Sequence, residues 1–223
     1  LEYSDIISCK EEEILKVLTL GTRYYILKNG FKKVVVALSG GIDSAITSVI
    51  ATMAIGKDNV NTVFMPSDFS SSESRRDSRE LTKNLGIKHD VIPIAGIFDK
   101  YLEELEGIFA NDEINVTKEN IQARIRGSII MAFSNEHGWL VLSTGNKSEI
   151  SVGYCTLYGD MVGGFSHIND VYKTMVFSIC RFINKKHDNI IPENIITRAP
   201  SAELKPDQTD QDKLPPYDIL DQI

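Results

Sequence analysis

Six consecutive residues, Ser39-Gly40-Gly41-Ile42-Asp43-Ser44, bring together two glycines, two hydroxyls and one carboxylate. Paired glycines permit a tight turn whose backbone N–H groups converge, and the Ser39 and Ser44 hydroxyls add donors, so the group suits an anion such as a phosphate. Asp43 would repel a bare phosphate. Its presence makes chemical sense if Mg²⁺ bridges the carboxylate to the anion, because the metal reverses the local charge logic. The spacing is neither GxxxxGK[ST] nor GxGxxG. An isolated Ser-Gly-Gly would be an ordinary turn with an acid near a helix start, where acids are favoured anyway. Here the whole S-G-G-x-D-S lies between a strand-like run and a helix-like one, and that context favours the anion cradle.

Other residues carry weaker chemistry. Glu149 stands in a glycine-flanked segment after a strand end, where carboxylates in open α/β sheets meet ligands; the alternative is a solvated surface acid. Asn120 and Arg124 lie one helical turn apart and would grip a polar ligand together, or form an exposed polar face. Lys173 would point a cation at a phosphate, or sit at the surface as most lysines do. His89, His137, His167 and His187 are scattered without ligand spacing. Cys155, in "GYCTLYGD", has no partner histidine in view and reads as a small buried residue rather than a nucleophile.

These residues need elements to hold them, and strand-like and helix-like segments alternate along the chain, the α/β signature. "EEEILKVLTLGTRYYILKNG" has Ile14, Leu15, Leu18 and Tyr25 at helical spacing and stops at Gly30. "KVVVAL" is a β-branched run of the kind buried in a parallel sheet, and "IDSAITSVIATMAIG" is a helix closed by Gly56. "NTVFM" is the second strand. In the polar stretch that follows, Ser74 and Asp77 have capping-box spacing, and Leu81 with Leu85 forms the buried side of a third helix. "KHDVIPI" and "WLVLSTG" are the third and fourth strands, separated by a helix over residues 119–136 with Ile121, Ile125, Ile129 and Phe133 on one face. After Gly145 the glycine- and hydroxyl-rich texture reads as a loop approaching a ligand, and "DVYKTMVFSICRFIN" as one more helix. Residues 198–223 hold Pro200, Pro206, Pro215 and Pro216 among repeated acids, so they are expected to run extended, either mobile or folded over a site.

Length and composition set the outer bounds. A chain of 223 residues, 42% hydrophobic, buries one substantial core, and its net charge of −7 argues against a general nucleic-acid or membrane surface. The 3 cysteines are odd in number and form no CxxC pair, so neither a disulfide framework nor a zinc site is indicated and a reducing cytoplasm fits. The first residues are too charged for a signal peptide, and no apolar stretch approaches the ~18 residues a membrane span needs.

"SGGIDS" resembles the pyrophosphate-binding loop of the N-type ATP pyrophosphatases. "MPSDFSSSESRRDSRELTKNLGI", "ENIQARIRG", "LSTGNKSEISVGYCTLYGDMVGGF", "DVYKT" and "RAPSAELKPDQTDQDKLPPYDILD" narrow the likeness to the synthetase domain of the glutamine-dependent NAD synthetase family, in the family's order from about Glu11 onward. The resemblance implies an open, doubly wound, mostly parallel sheet with helices on both faces, of the adenine nucleotide alpha hydrolase-like kind, in a single domain over 1–223. It implies that the nicotinate carboxylate of deamido-NAD attacks the α-phosphate of ATP, releasing pyrophosphate, and that ammonia then displaces AMP to form the amide of NAD. It implies ATP contacts at Leu38, Ser39, Gly40, Gly41, Ile42, Asp43, Ser44, Met65, Thr144, Lys173 and Ser201. Mg²⁺ falls to Asp43 and Glu149, with Asp43, Glu149 and Lys173 as the catalytic set. Asn120, Arg124, Glu149 and Asp160 fall on the deamido-NAD side.

Two departures follow from the same resemblance. Glutamine-dependent members carry an upstream nitrilase-like glutaminase domain for which this chain has no room, so it is either an excised synthetase domain or a natural form using free ammonia. Members also continue past "YDILD", and a basic substrate contact near their C-terminus has no counterpart before Ile223. A homodimer is expected by resemblance only. A GMP-synthetase-like pyrophosphatase, or a non-catalytic ATP-binding module, would share the phosphate loop; the first lacks "TGNKSEISVGY" and "ARIRG", and the second has no need of both Asp43 and Glu149.

Overall fold

A computed structural model describes residues 9–109, 114–206 and 208–223. Its frame is a parallel sheet of β1 (Val34–Ala37), β2 (Val60–Phe64), β3 (Lys88–Val91) and β4 (Leu140–Leu142), in the order β3-β2-β1-β4. Val34 pairs with Val60 on one side and with Leu140 on the other. The chain steps outward from β1 to β3, then returns across β1 to lay down β4. Strand order therefore reverses between β1 and β4, and in open α/β sheets the crevice at the carboxyl ends of such strands is where ligands bind.

Alternation along the strands explains the layers. Val34, Val36, Leu140 and Leu142 face a core shared with α1 (Lys10–Lys28), α2 (Ile42–Ile55), α3 (Ser72–Leu85), α7 (Lys173–Lys186) and α8 (Glu193–Thr197). Val35, Val63 and Val141 face the other way, onto α4 (Ala95–Glu104) and α5 (Val116–His137). On α5, Ile125 is buried, with Ile121, Ile129 and Phe133 packed around it. Helices thus cover both faces, as expected of the doubly wound class.

Local chemistry set several boundaries differently from the sequence expectations. The third helix begins before Ser74: Ser71 is its N-cap and accepts from the Ser74 N–H at 3.0 Å, while Asp77 is buried one turn further on. The glycine-rich segment after β4 is not all loop. Asn146 caps a single helical turn, α6 (Lys147–Ser151), by accepting from the Glu149 N–H. The helix expected from Asp170 starts instead at Lys173. In the tail, the expected extended course is interrupted by a 3₁₀ turn at Asp210–Asp212 and by α9 (Tyr217–Leu220), the latter entered through Pro216, whose fixed φ suits a helix start. Asp207 lies outside the described residues.

Candidate active site

The turn between β1 and α2 is shaped by its glycines. Gly40 has φ +85°, and a Cβ there would stand 2.5 Å from the Ser74 carbonyl oxygen, so only glycine lets α3 pack this close. Ser44 Oγ accepts from the Ser39 N–H at 3.2 Å and donates to the Gly41 carbonyl at 3.0 Å, while Ser39 Oγ accepts from the Gly41 N–H at 3.2 Å. The hydroxyls that looked like phosphate donors also brace the turn itself.

Asp43 follows on the first turn of α2, where the helix dipole supports its charge. Two elements from the far half of the chain converge on it. Asn146 Nδ2 donates to one carboxylate oxygen at 3.0 Å, and Lys173 Nζ, from the first residue of α7, donates to the other at 2.5 Å. The same ammonium reaches Glu149 Oε1 at 2.8 Å. Lys173 is 2% exposed, which decides against the surface-lysine alternative. Burial by itself would lower its pKa, but Asp43 and Glu149 outweigh that and hold it protonated, above the usual lysine range. Glu149 moves the other way from a normal acid: burial first, then the Asp43 charge, push it up to about 7 against the pull of Lys173. Two carboxylates compete for one cation in a poorly solvated place.

The constellation opens into a cavity of about 290 Å³ at the carboxyl ends of β1 and β4. Of the expected residues, Leu38, Ser39, Gly41, Ile42, Asp43, Ser44, Met65, Thr144, Glu149, Asp160, Lys173 and Ser201 line it. Gly40 stands behind the lining, against Ser74. Asn120 and Arg124 are not in the wall. They hold the loop that is: Asn120 Oδ1 accepts from Thr156 Oγ1 at 2.8 Å, and Arg124 Nε donates to the Leu157 carbonyl at 3.2 Å. Asp160 Oδ1 accepts from the Thr156 N–H at 2.9 Å, and burial raises its pKa against the bonds from Thr156 and Met161. Cys155 lines the cavity and is partly exposed, contrary to the buried role expected of it; burial, with Asp160 and Glu149 nearby, raises its thiol. The cysteine in the core is Cys180.

Several site residues were missed by sequence reasoning. Asn146 could have been found, because Asn146 followed three positions later by Glu149 is a helix-start pattern. Arg126, on the cavity wall, donates to the Met65 carbonyl at 3.0 Å, and burial pulls it down to about 10 against the Glu203 charge. The tail closes the far side. Arg198 donates to the Gly40 carbonyl and to Ser71 Oγ, and Glu203 accepts from the Ser71 and Ser74 hydroxyls, each at 2.7 Å. Asp210, 3% exposed, accepts from Tyr217 at 2.7 Å and Tyr154 at 3.4 Å, and the Tyr217 ring lies 5.2 Å beneath the Lys173 ammonium. No local pattern announces these tail contacts.

Asp43 and Glu149 form a pair rather than a closed cage, and among the described residues no group of three or more His, Cys, Asp or Glu is placed to hold a metal. Two carboxylates facing one point suit Mg²⁺ as it is usually held beside substrate phosphates, with few protein ligands and the anion completing the shell. Among the described residues no helix is long and apolar enough to cross a membrane.

Comparison with known proteins places the chain in a family. A family model described as NAD synthase matches residues 14–223. A glutamine-dependent NAD(+) synthetase of Thermotoga maritima is 57% identical over 96% of this chain. The chain spans 37% of that relative's length. The structure of a glutamine-dependent NAD+ synthetase from Acinetobacter baumannii in complex with ADP superposes with a TM-score of 0.85 at 43% identity, covering 99% of this chain and 39% of that one. An NMN synthetase from Francisella tularensis has the same TM-score at 28% identity, covering 96% of this chain and 86% of that one. A family model covering nearly the whole sequence, and a relative sharing more than half its residues, show that the chain belongs to the NAD synthase family.

Proposed function

We propose that this chain catalyses the ATP-dependent amidation of deamido-NAD to NAD. The observation that carries the reading is the convergence of Asp43, Glu149 and Lys173 beside a glycine turn at the mouth of a cavity. A carboxylate resists attack by an amine until its oxygen becomes a good leaving group. The nicotinate oxygen therefore forms a bond to the α-phosphorus of ATP as the bond to the pyrophosphate oxygen breaks. The nitrogen of ammonia then bonds to the carbonyl carbon, the bond to AMP breaks, and the nitrogen gives up a proton. Neither step asks for a protein nucleophile, which matches a site of charge and position rather than of paired Cys and His.

The residues divide the work. The turn at residues 39–44 cradles phosphate with its N–H groups and the start of α2. Asp43 and Glu149 would hold Mg²⁺, which supplies charge neutralisation between the phosphates when bound. Lys173, poised between the two carboxylates, is the cation that can turn to a phosphate oxygen. Met65 and Arg126 sit where β2 ends, suited to the adenine side, and Ser201 approaches from the tail. Asn120, Arg124 and Asp160 shape the loop at 156–160 for the dinucleotide.

Ammonia is the direct nitrogen donor in this reading. Longer relatives are called glutamine-dependent, and a glutaminase domain in them would supply it. A homodimer is the expected assembly, and the exposed Leu157 and Tyr158 beside Arg124 are a surface it would cover. Use of ATP makes the cytoplasm the place of action.

The test is pyrophosphate release from Mg-ATP with deamido-NAD present or absent, and with ammonium or glutamine. Release that requires deamido-NAD, with NAD formed from ammonium, supports the reading. Release with the mononucleotide acid in place of deamido-NAD, and none with deamido-NAD itself, would move the chain toward the NMN synthetase side of its relatives.

A further inference from the structure

Helix α7 begins with N–H groups that its own cap does not satisfy. Its N-cap, Tyr172, contributes no side-chain bond, so the first N–H groups of the helix need partners from elsewhere. They find them in two different elements. The Lys173 N–H donates to Ser148 Oγ at 2.8 Å, from α6, and the Thr174 N–H donates to Asp221 Oδ2 at 2.9 Å, from the turn ending α9. Thr174 Oγ1 donates to the same Asp221 oxygen at 2.7 Å, and Ser148 Oγ donates to the other at 2.5 Å. One carboxylate thus joins the start of α7 to the start of α6.

Those two points adjoin the chemistry. Ser148 precedes Glu149, and the N–H held by Ser148 belongs to Lys173 itself. A shift of α6 against α7 would alter the distance from Lys173 Nζ to Glu149, now 2.8 Å. The same short helix, α9, places the Tyr217 ring 5.2 Å from that ammonium, and the Asp221 N–H closes the turn on the Tyr217 carbonyl at 2.9 Å. A negative charge at the start of α7 is also favoured by the helix dipole.

We propose that Asp221 is a positioning residue, a tertiary cap that locks α6 to α7 so that Glu149 and Lys173 meet Asp43 at the anion turn. It touches no reacting atom. The kinetic part of this inference rests on the function proposed above; the structural part does not.

Two readouts on the full chain test it. The first is pyrophosphate release with its kcat and KM for ATP. The second is amidination of Lys173 by methyl acetimidate, followed by mass spectrometry, which needs no activity. Asp221→Ala is expected to lower kcat by about 30-fold or more, to leave the KM for ATP within about threefold, and to raise Lys173 labelling about tenfold. Asp221→Asn keeps an acceptor for Thr174 and offers a donor to Ser148 Oγ, so it should restore most of the rate and bring Lys173 labelling most of the way back down. Should Asp221→Ala not fold, Thr174→Val, which removes one of the bonds, is expected to shift both readouts in the same direction by a smaller factor. Unchanged kcat and labelling would overturn the inference. So would a loss of rate that tracks only the melted fraction, with the asparagine variant no better than the alanine one. If the wild-type chain releases no pyrophosphate, the proposed function fails while the labelling arm still decides Asp221: no rise in Lys173 labelling would overturn its role.

Discussion

Lys173 Nζ lies 2.5 Å from Asp43 Oδ2, across 130 positions of sequence. The contact joins the first residue of α7 to the first turn of α2, and it places a permanent cation against the carboxylate that follows the glycine turn. A side chain in that position serves charge, not shape. Asp43→Asn is therefore expected to reduce pyrophosphate release by about 100-fold or more while leaving the far-UV spectrum native, since the turn geometry belongs to Gly40 and Gly41. Wild-type turnover in the Asp43→Asn protein would remove the metal role from this residue.

Glu149 predicts the pH profile. With its carboxyl pushed up to about 7, the free enzyme holds a proton there below neutrality, and a protonated acid is a poor partner for Mg²⁺. Because the ionised form is the useful one, kcat/KM for ATP should rise about tenfold per pH unit below 7 and level off above it. Glu149→Gln should be nearly inactive at every pH. A flat profile from about pH 5.5 to 8 in the native chain would contradict the assignment.

Gly40 separates backbone from charge. Alanine there must adopt φ near +85° and push its Cβ to 2.5 Å from the Ser74 carbonyl. Gly40→Ala should cost about 2 kcal/mol or more in urea unfolding and weaken ATP binding as the turn and α3 move apart. Gly21, inside α1 with nothing among the described residues within 4 Å of a built Cβ, is the control: Gly21→Ala should stabilise by up to about 1 kcal/mol.

Arg124 holds the Leu157 carbonyl at the loop carrying Asp160. Arg124→Ala should raise the KM for deamido-NAD about tenfold and change the KM for ATP by less than about threefold. Equal effects on both substrates would detach Arg124 from the dinucleotide side.

His167 gives a stability prediction far from the assay. Among the described residues neither ring nitrogen has a hydrogen-bond partner, and burial lowers its pKa from 6.5 to about 4. A base whose folded pKa is depressed lends its full stability above the unfolded value. The folded state therefore loses stability as pH falls from about 6.5 toward 4, by about 3 kcal/mol in all, because unfolding lets the ring take a proton. His167→Phe should flatten that part of the urea-midpoint profile. An unchanged slope would mean that other groups carry it.

Much of this molecule was legible before any fold was seen. The β-branched run at Val34–Ala37, the glycine turn after it and the helical spacing behind it depend on residues within a few positions of one another, and local sterics and periodicity act over that range. The cradle of residues 39–44 and the acid within it are for the same reason sequence properties. Whether a lone Glu149 or Lys173 is a surface charge or a site residue is not, since each alternative has the same neighbours in the chain.

Sheet order decided that question. Because β4 returns to lie beside β1, the loop after it brings Asn146 and Glu149 to the turn that holds Asp43, and α7 packs back on the same face with Lys173 foremost. The tail was settled the same way. Its prolines and acids left open whether it is mobile or folds over a site, and the packing decides: Arg198, Glu203, Asp210 and Asp221 each find donors or acceptors on α3, α7 or the glycine turn, or on tyrosines beside them. A charged side chain declares its type in the sequence; its partner, its burial and hence its pKa exist only once distant elements are packed against it.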